Sequence, residues 1–563
     1  MNNLIRQGKK IFFSEQTTVL SAAGVIMLMT FGSQILGFVR ARVVLHFFTT
    51  SDSSLFFAAL RLPELVFEIL MYGMFSSAFI PVFSKAIKKG EDAWDIAGRV
   101  VNLGLLIFGV FAIIMGIWAD KIYAVIAPGY TPDQIIQIAN LARVLFIAQG
   151  IFIVSYVLTG VLESLKRFLI PALAPIFYNL GLILGTILLS NRFGLMAPAI
   201  GVVVGAFVHF LIQLPLAFKL GFRFSLRLKP NSGVKSIIKL ATPRLADLSF
   251  QQIVSVVELY FSSLISTASY TYLTVANSLQ SAPVRLFGIS LAKAALPTLT
   301  HQDENPEEFK RTLLSTIYQM FFLVMPVVTF FIVLRIPTTR LFFGTANFDW
   351  NATVQTGMVL SAYALGIPFQ AAVAILARAF YAFHDTKTPV LISIVGDGAI
   401  IIADFVLIKG FGLPLWALSF SFSLGAFIET LVLIFLINKK LKNMPFLSVM
   451  PTILKSVFAA TVSGTTMYIL MKALDKSVWE KRGLNPSLLI PFDKLVLDTR
   501  YTVNLIILTA VVGAIGLAAY VVTSYLLKSG ELTSLIRVIR RNHILRFRQK
   551  LEPVTEKPSA DIP

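Results

Sequence analysis

The feature that most restricts this chain is a succession of apolar runs, each long enough to cross a bilayer, between Thr18 and Leu527. About 20 apolar residues in a helix span the hydrocarbon core, where every backbone amide must be satisfied within its own segment. Read on that length, the sequence holds about fourteen spans. Their cores fall near 18–47, 54–83, 97–118, 133–162, 168–190, 195–218, 237–265, 270–298, 312–335, 354–383, 388–408, 413–437, 449–473 and 501–527. A soluble chain would interrupt its apolar residues with polar ones far more often. With 56% hydrophobic and 14% charged residues, the expectation is an all-α polytopic membrane protein. Residues 1–10 are polar and basic, and the first apolar run is too long for a signal core, so no cleavable signal is expected. The lack of cysteine excludes disulfides and thiolate metal sites.

A formal net charge of +20 invites a nucleic-acid reading, but the distribution argues against it. Basic residues gather in alternate connections: Lys85, Lys88 and Lys89; Lys166 and Arg167; Arg223, Arg227 and Lys229; Lys439, Lys440 and Lys442. This positive-inside pattern sets orientation and predicts both termini in the cytoplasm. The connections 120–134 and 475–500 then fall outside. The tail at 533–548 interleaves apolar residues with arginines and reads as an amphipathic helix on anionic lipid, with residues 552–563 disordered beyond it.

The runs divide into two halves. Residues 378–390 form a polar hinge between two apolar runs, where Asp385 and Thr386 can cap a helix and Pro389 suits its first turn. Residues 160–175 echo this hinge, with Pro171 in the place of Pro389. The expected organisation is a six-helix lobe at 1–218, a basic linker at 219–239 and a related six-helix lobe at 240–440. Two extra helices follow at 441–528, and a basic tail at 529–563. Duplicated halves are a common transporter plan, with the substrate between them.

The run Phe380-Tyr381-Ala382, followed by Asp385-Thr386-Lys387-Thr388-Pro389-Val390, resembles the signature of the MurJ (MviN) lipid II flippases. That family belongs to the superfamily of multidrug and polysaccharide exporters. Leu36-Gly37-Phe38-Val39-Arg40, Leu62-Pro63-Glu64-Leu65, Pro171-Ala172 with Pro175 and Asn179, and Leu286-Phe287-Gly288 agree with it in order. The resemblance implies a transporter with no catalytic residue. Its substrate would be lipid II, a polyprenyl-pyrophosphate-linked sugar-peptide for peptidoglycan synthesis. Alternating access would carry it from the inner to the outer leaflet of a bacterial cytoplasmic (inner) membrane. Helices thirteen and fourteen would form a groove for the lipid tail, with membrane lipids and cell-wall synthesis enzymes as candidate partners. It also implies arginines in the central cavity. Arg40 matches one, whereas Gln34, Phe67 and Ser278 stand where arginine is usual, so a less basic cavity is expected.

Charges inside a span are costly and generally face a cavity or a partner. Arg61, Glu64 and Glu68 can share one helix face. With Arg40, Arg42, Gln34, Ser278 and Arg285 they form the candidate substrate-binding set; the competing reading makes Arg61 and Glu64 a surface ion pair. Arg40 has the strongest case, since a guanidinium forks onto phosphate, and Arg285 can replace the charge missing at Ser278. Arg378, Asp385 and Lys387 flank the hinge and are candidate gating residues. His209, alone in its span, is expected to be a packed histidine. Glu258 and Asp404 lie at membrane depth without an obvious basic partner. A hard cation would satisfy both, with Ser419 and Ser421 adding oxygens; protonation or hydrogen bonds to neighbours such as Gln252 are the alternative. The resemblance implies sodium, held between helices seven, eleven and twelve. No P-loop occurs, so direct nucleotide hydrolysis is not expected. Two other functions stay open: an ion-coupled exporter of another lipid-linked saccharide or amphipathic substrate, and a transport-dead scaffold for cell-wall enzymes.

Overall fold

A computed structural model describes residues 19–74, 78–90, 92–224, 226–302, 304–441, 446–481, 496–534 and 537. The polar start at 1–10, most of the 533–548 tail, residues 552–563 and the middle of the 475–500 connection lie outside the described residues.

Each apolar run folds as a helix. In chain order these are α1 (Val19–Phe47), α2 (Thr50–Met74), α3 (Ala93–Ile117), α4 (Pro132–Ser164), α5 (Leu169–Phe193), α6 (Met196–Leu211) and α7 (Ser232–Ile265). There follow α8 (Ser269–Pro283), α9 (Pro306–Val333), α10 (Trp350–Ala382), α11 (Lys387–Asp404), α12 (Trp416–Leu441), α13 (Phe446–Leu474) and α14 (Thr502–Leu526). Short polar side chains start several of them by accepting an otherwise orphaned amide hydrogen. Asp92 does this for α3, Asn231 for α7 and Asp349 for α10, and Thr131 with Gln134 forms a capping box on α4. Among the described residues twelve helices are long and apolar enough to cross a membrane. The expected fourteen also counts two more polar helices, which fall short of that combination of length and apolarity. One is α2, which carries Arg61, Glu64 and Glu68. The other is α8, which passes into a π-helical turn at Val284–Ile289 before resuming at Ser290–His301.

The two halves repeat one packing scheme. Helix α1 lies on α5, α2 on α4, α3 on α4, α4 on α6 and α5 on α6. Shifted by six, α7 lies on α11, α8 on α10, α9 on α10, α10 on α12 and α11 on α12. The hinges repeat as well. Lys166 and His384 both adopt left-handed backbone, at φ 58° and 57°. In each hinge the next amide reaches back five residues, from Arg167 to Leu162 O (2.8 Å) and from Asp385 to Phe380 O (3.0 Å). These are matching Schellman closures, and Pro171 and Pro389 each stand five residues past the left-handed residue.

One core is built on the first half, around Phe56, Phe83, Tyr123 and Leu145; another on the second, around Phe309, Phe343, Tyr363 and Ile375. Helix α7 joins them. Val234, Ile237 and Ala241 sit in the first core and Phe261 in the second, so the boundary expected at residue 240 runs through a single helix. Helices α13 and α14 pack beside α9, where Tyr520 donates to Phe322 O at 2.9 Å and Thr329 to Ala460 O at 3.4 Å. The basic linker is tied down at α3: Asp95 accepts from Arg99 at 2.6 Å, Arg227 at 3.2 Å and Asn231 at 3.1 Å.

Candidate functional site

Between the halves lies a two-chambered cavity. One chamber, of about 630 Å³, is walled by α1, α4, α5, α6 and α8; the other, of about 470 Å³, by α1, α2, α7, α8 and Tyr363 of α10. Gly37, Arg40, Ser278, Ser281 and Arg285 line both, so the chambers meet at these residues. Seven of the eight candidate substrate-binding residues come together here: Gln34, Arg40, Arg61, Glu64, Glu68, Ser278 and Arg285.

The exception is Arg42. Two residues beyond Arg40 it points about 200° away around the helix. There its guanidinium donates to the carbonyls of Leu341 and Phe342, closing the end of the helix Arg335–Phe343. It therefore belongs to a clasp between the halves. Thr345 donates to Leu45 O at 2.6 Å, Asn347 to His46 O at 2.7 Å and Thr271 to Thr50 O at 2.8 Å in the same region. At that end Gly129 lies so close to Ser263 that a side chain there would overlap its carbonyl. This closed end is opposite the one carrying the basic connections. The larger chamber extends toward the basic end, where Phe168, Pro171 and Ala172 of the first hinge line it.

The junction of the chambers is cationic. Arg40, from α1, lies over the Tyr178 ring at 5.5 Å and has no ion-pair partner among the described residues. Arg285, on the π-helical turn of the other half, makes among the described residues a single 3.5 Å bond, to Ser281 Oγ. A π turn displaces one residue from the regular ladder, a device common at functional sites. Ser278 turns its hydroxyl back to Val275 O at 2.6 Å.

The smaller chamber mixes charges: beyond Arg40 and Arg285 at the junction it sets Glu64, Glu68 and Glu258 against Arg61. Arg61 lies 4.0 Å from Glu64. It also donates to Gln252 Oε1, while Gln252 Nε2 donates to Glu68. The Arg61–Glu64 pair thus lies in the cavity and not at a membrane surface. Gln252 binds two charged groups across α2 and α7, a role that an uncharged residue on another span does not announce. Replacing it with leucine is expected to cost about 1.5–3 kcal/mol per charged partner. A wild-type melting temperature in Gln252→Leu would show the bridge to be inert.

Asp404 is 0% exposed, and neither of its carboxylate oxygens has a hydrogen-bond partner at normal distance, with only the Ser421 hydroxyl close enough to interact. A second π-helical turn, Phe405–Gly410, starts at the next residue. Ser419 and Ser421 are equally enclosed; they donate to Trp416 O at 2.9 Å and Ala417 O at 3.1 Å, which leaves their lone pairs free. Glu258 accepts from the Tyr363 hydroxyl at 3.4 Å, and Tyr363 interacts electrostatically with both acids. Among the described residues no three His, Cys, Asp or Glu side chains converge on one point. The donor set is two carboxylates with hydroxyls, which suits a small hard cation better than a transition metal.

The hinge residues make mostly local contacts. Arg378 donates to Ala374 O of its own helix at 2.9 Å. Asp385 accepts from the amide and hydroxyl of Thr388, at 3.1 and 2.9 Å, and lies 3.4 Å from Lys440 at the end of α12. Burial opposes its charge, but these donors together outweigh burial and hold the carboxyl below its ordinary range. Thr386 makes no capping bond, and Lys387 is exposed.

The chain matches the family model described as Lipid II flippase MurJ over residues 43–481. The lipid II flippase MurJ of Burkholderia cenocepacia is 26% identical over 441 residues, covering 75% of this chain and 83% of that one. A solved lipid II flippase MurJ in an inward closed conformation superposes with a TM-score of 0.71 at 22% identity, covering 88% of this chain and 98% of that chain. An inward-facing multidrug resistance MATE family transporter of the MOP superfamily superposes with a TM-score of 0.62 at 13% identity, over 73% and 94%.

Proposed function

We propose that this chain, which belongs to the MurJ family of lipid II flippases, moves lipid II across the membrane by alternating access of its two halves. It is a multi-pass membrane protein and a transporter, not an enzyme. The observation that carries the reading is the pair Arg40 and Arg285, one from each half, in no salt bridge among the described residues and set at the junction of the chambers. Two guanidiniums facing one space suit a pyrophosphate, and a ligand gripped from both halves couples its passage to their movement. By the positive-inside rule the basic end is cytoplasmic, which puts both termini there. The clasped end is then outside, and the cavity is in its inward state. The same pair argues against a transport-dead scaffold and against export of an amphipathic cation, neither of which has a use for such arginines; it suits another lipid-linked saccharide as well as lipid II, and the translocation assay separates those two. Expression in a bacterium depleted of its own flippase tests the proposal. Restored growth and lipid II translocation are expected; loss of viability despite normal membrane insertion would reject it.

We further propose that Asp404, with Glu258, Ser419 and Ser421, holds a sodium ion that biases the equilibrium between the two states. A fully buried carboxylate with no charged partner and at most one weak hydroxyl contact needs a cation or a proton. Sodium is expected to raise the melting temperature of the purified protein above that in potassium or choline at equal ionic strength, and Asp404→Asn to remove the difference. Superimposable curves in the three salts would leave the proton reading.

A further inference from the structure

A buried polar network stands behind one wall of the larger chamber, where sequence reading placed only a packed histidine. Thr159 donates to Gln213 Oε1 at 3.0 Å. Gln213 uses both amide hydrogens, one to Ser155 Oγ at 2.8 Å and one to His209 O at 3.1 Å. Ser155 thereby receives one hydrogen bond and has its own hydroxyl hydrogen left for the contact it makes with His209 Nδ1. With Nδ1 accepting, a neutral imidazole carries its proton on Nε2. His209 is 4% exposed, and the surface it retains lines the chamber. Its ring stacks with Tyr156 at 6.0 Å and 16° and meets the Phe152 edge at 5.2 Å. Gln213 Nε2, which can only donate, also lies 3.4 Å from Nδ1, so Nδ1 is the acceptor and the Nε2–H donor is left for the chamber wall beside an aromatic face.

We propose that His209 Nε2–H and the Tyr156 ring, facing Gln34 across the chamber, form a subsite for an uncharged saccharide of the transported molecule. The reading deepens the lipid-pyrophosphate proposal and rests on it. His209, Tyr156 and Gln34 share their chamber with Arg40, and Tyr178 lies under the Arg40 guanidinium. A sugar esterified to a pyrophosphate held at Arg40 falls against this wall. Neutral donors and acceptors beside aromatic rings suit a ligand with many hydroxyls and apolar ring faces, and fixed donors discriminate against analogues lacking the matching group.

The test compares two probes on the purified full-length protein: a polyprenyl pyrophosphate, and the same lipid carrying a disaccharide without peptide. The wild type is expected to bind the disaccharide form more tightly. His209→Asn keeps a polar atom near the Nδ1 position for Ser155 but has none at Nε2. It is expected to lose roughly three- to tenfold in affinity for the disaccharide form, the scale of one hydrogen bond, with no change for the bare lipid. His209→Gln, whose amide reaches the Nε2 position, is expected to recover part of the loss. His209→Phe keeps the ring contacts and repeats the test if the asparagine variant does not fold. An undiminished saccharide preference in these variants, or equal weakening toward both probes, would overturn the subsite. Arg40→Ala separates the two proposals, because it should weaken both probes alike; if it weakens neither, the pyrophosphate site fails independently of His209.

Discussion

Replacing Gly205 with valine is expected to leave little folded protein in the membrane. Helices α5 and α6 meet through two pairs of glycines. A Cβ on Gly181 would lie 2.3 Å from the Gly205 Cα, and one on Gly185 would lie 2.4 Å from the Gly201 Cα. At Gly205 itself a Cβ would fall 2.7 Å from Tyr178 O and 3.1 Å from Tyr178 Cα. These neighbours are backbone, so no rotamer change can relieve the overlap. Within a bilayer the association of two helices rests on close packing, because lipid tails solvate apolar side chains as well as another helix does. Overpacking a yielding core costs about 1–3 kcal/mol; two rigid backbones do not yield, so the helices must separate. Tyr178 and Asn179 of α5 line the cavity, so separation also dismantles the site. The measurement is membrane abundance and monodispersity of full-length protein after detergent extraction. Gly109→Ala is the control: a Cβ there meets nothing within 4 Å, and alanine in a helix favours the fold slightly. Normal abundance and melting of Gly205→Val would show that the α5–α6 contact is dispensable.

What could be read from the sequence follows from which forces act locally. Apolar length locates twelve of the helices, because a bilayer admits few other structures; α2 and α8, which carry more polar residues, are not marked by it. The hinge echo was legible because a Schellman closure followed by a proline is a short-range pattern, visible in 160–175 and 378–390 alike. Helix geometry also separates Arg42 from the cavity, since two residues along a helix turn it about 200° from Arg40. The glycine pairs carried a signal too, since Gly181 and Gly185, and Gly201 and Gly205, each repeat at four residues on consecutive spans. The Gln252 bridge and the His209 network were not legible: each depends on which helices become neighbours, and an isolated Gln or His in an apolar run does not name its partner. The π-helical turns at Arg285 and after Asp404 were hidden likewise, because tertiary packing decides where a helical ladder slips.

Replacing Arg40 with alanine is expected to abolish transport while membrane abundance and melting temperature stay near wild type. Fold and function separate here because Arg40 contributes to the first mainly through its contact with Tyr178 and a longer-range attraction to Glu64, which has Arg61 as its nearer partner. Such a contact is worth about 0.5–1 kcal/mol where water reaches it. No carboxylate among the described residues is left unpaired by its removal. For a bound pyrophosphate the loss is larger, since two charge-assisted bonds disappear from a site where Arg285, the other junction arginine in no salt bridge among the described residues, stands on the opposite half. One half then has no grip on the ligand, and its passage no longer drives the halves past one another. Arg40→Lys restores the charge but not the fork, so partial activity is expected, with a higher lipid concentration needed for half-maximal rate. Reconstituted vesicles with labelled lipid II in one leaflet read the rate directly. Wild-type flipping by Arg40→Ala would remove this residue from the substrate path and leave Arg285 to account for anion binding alone.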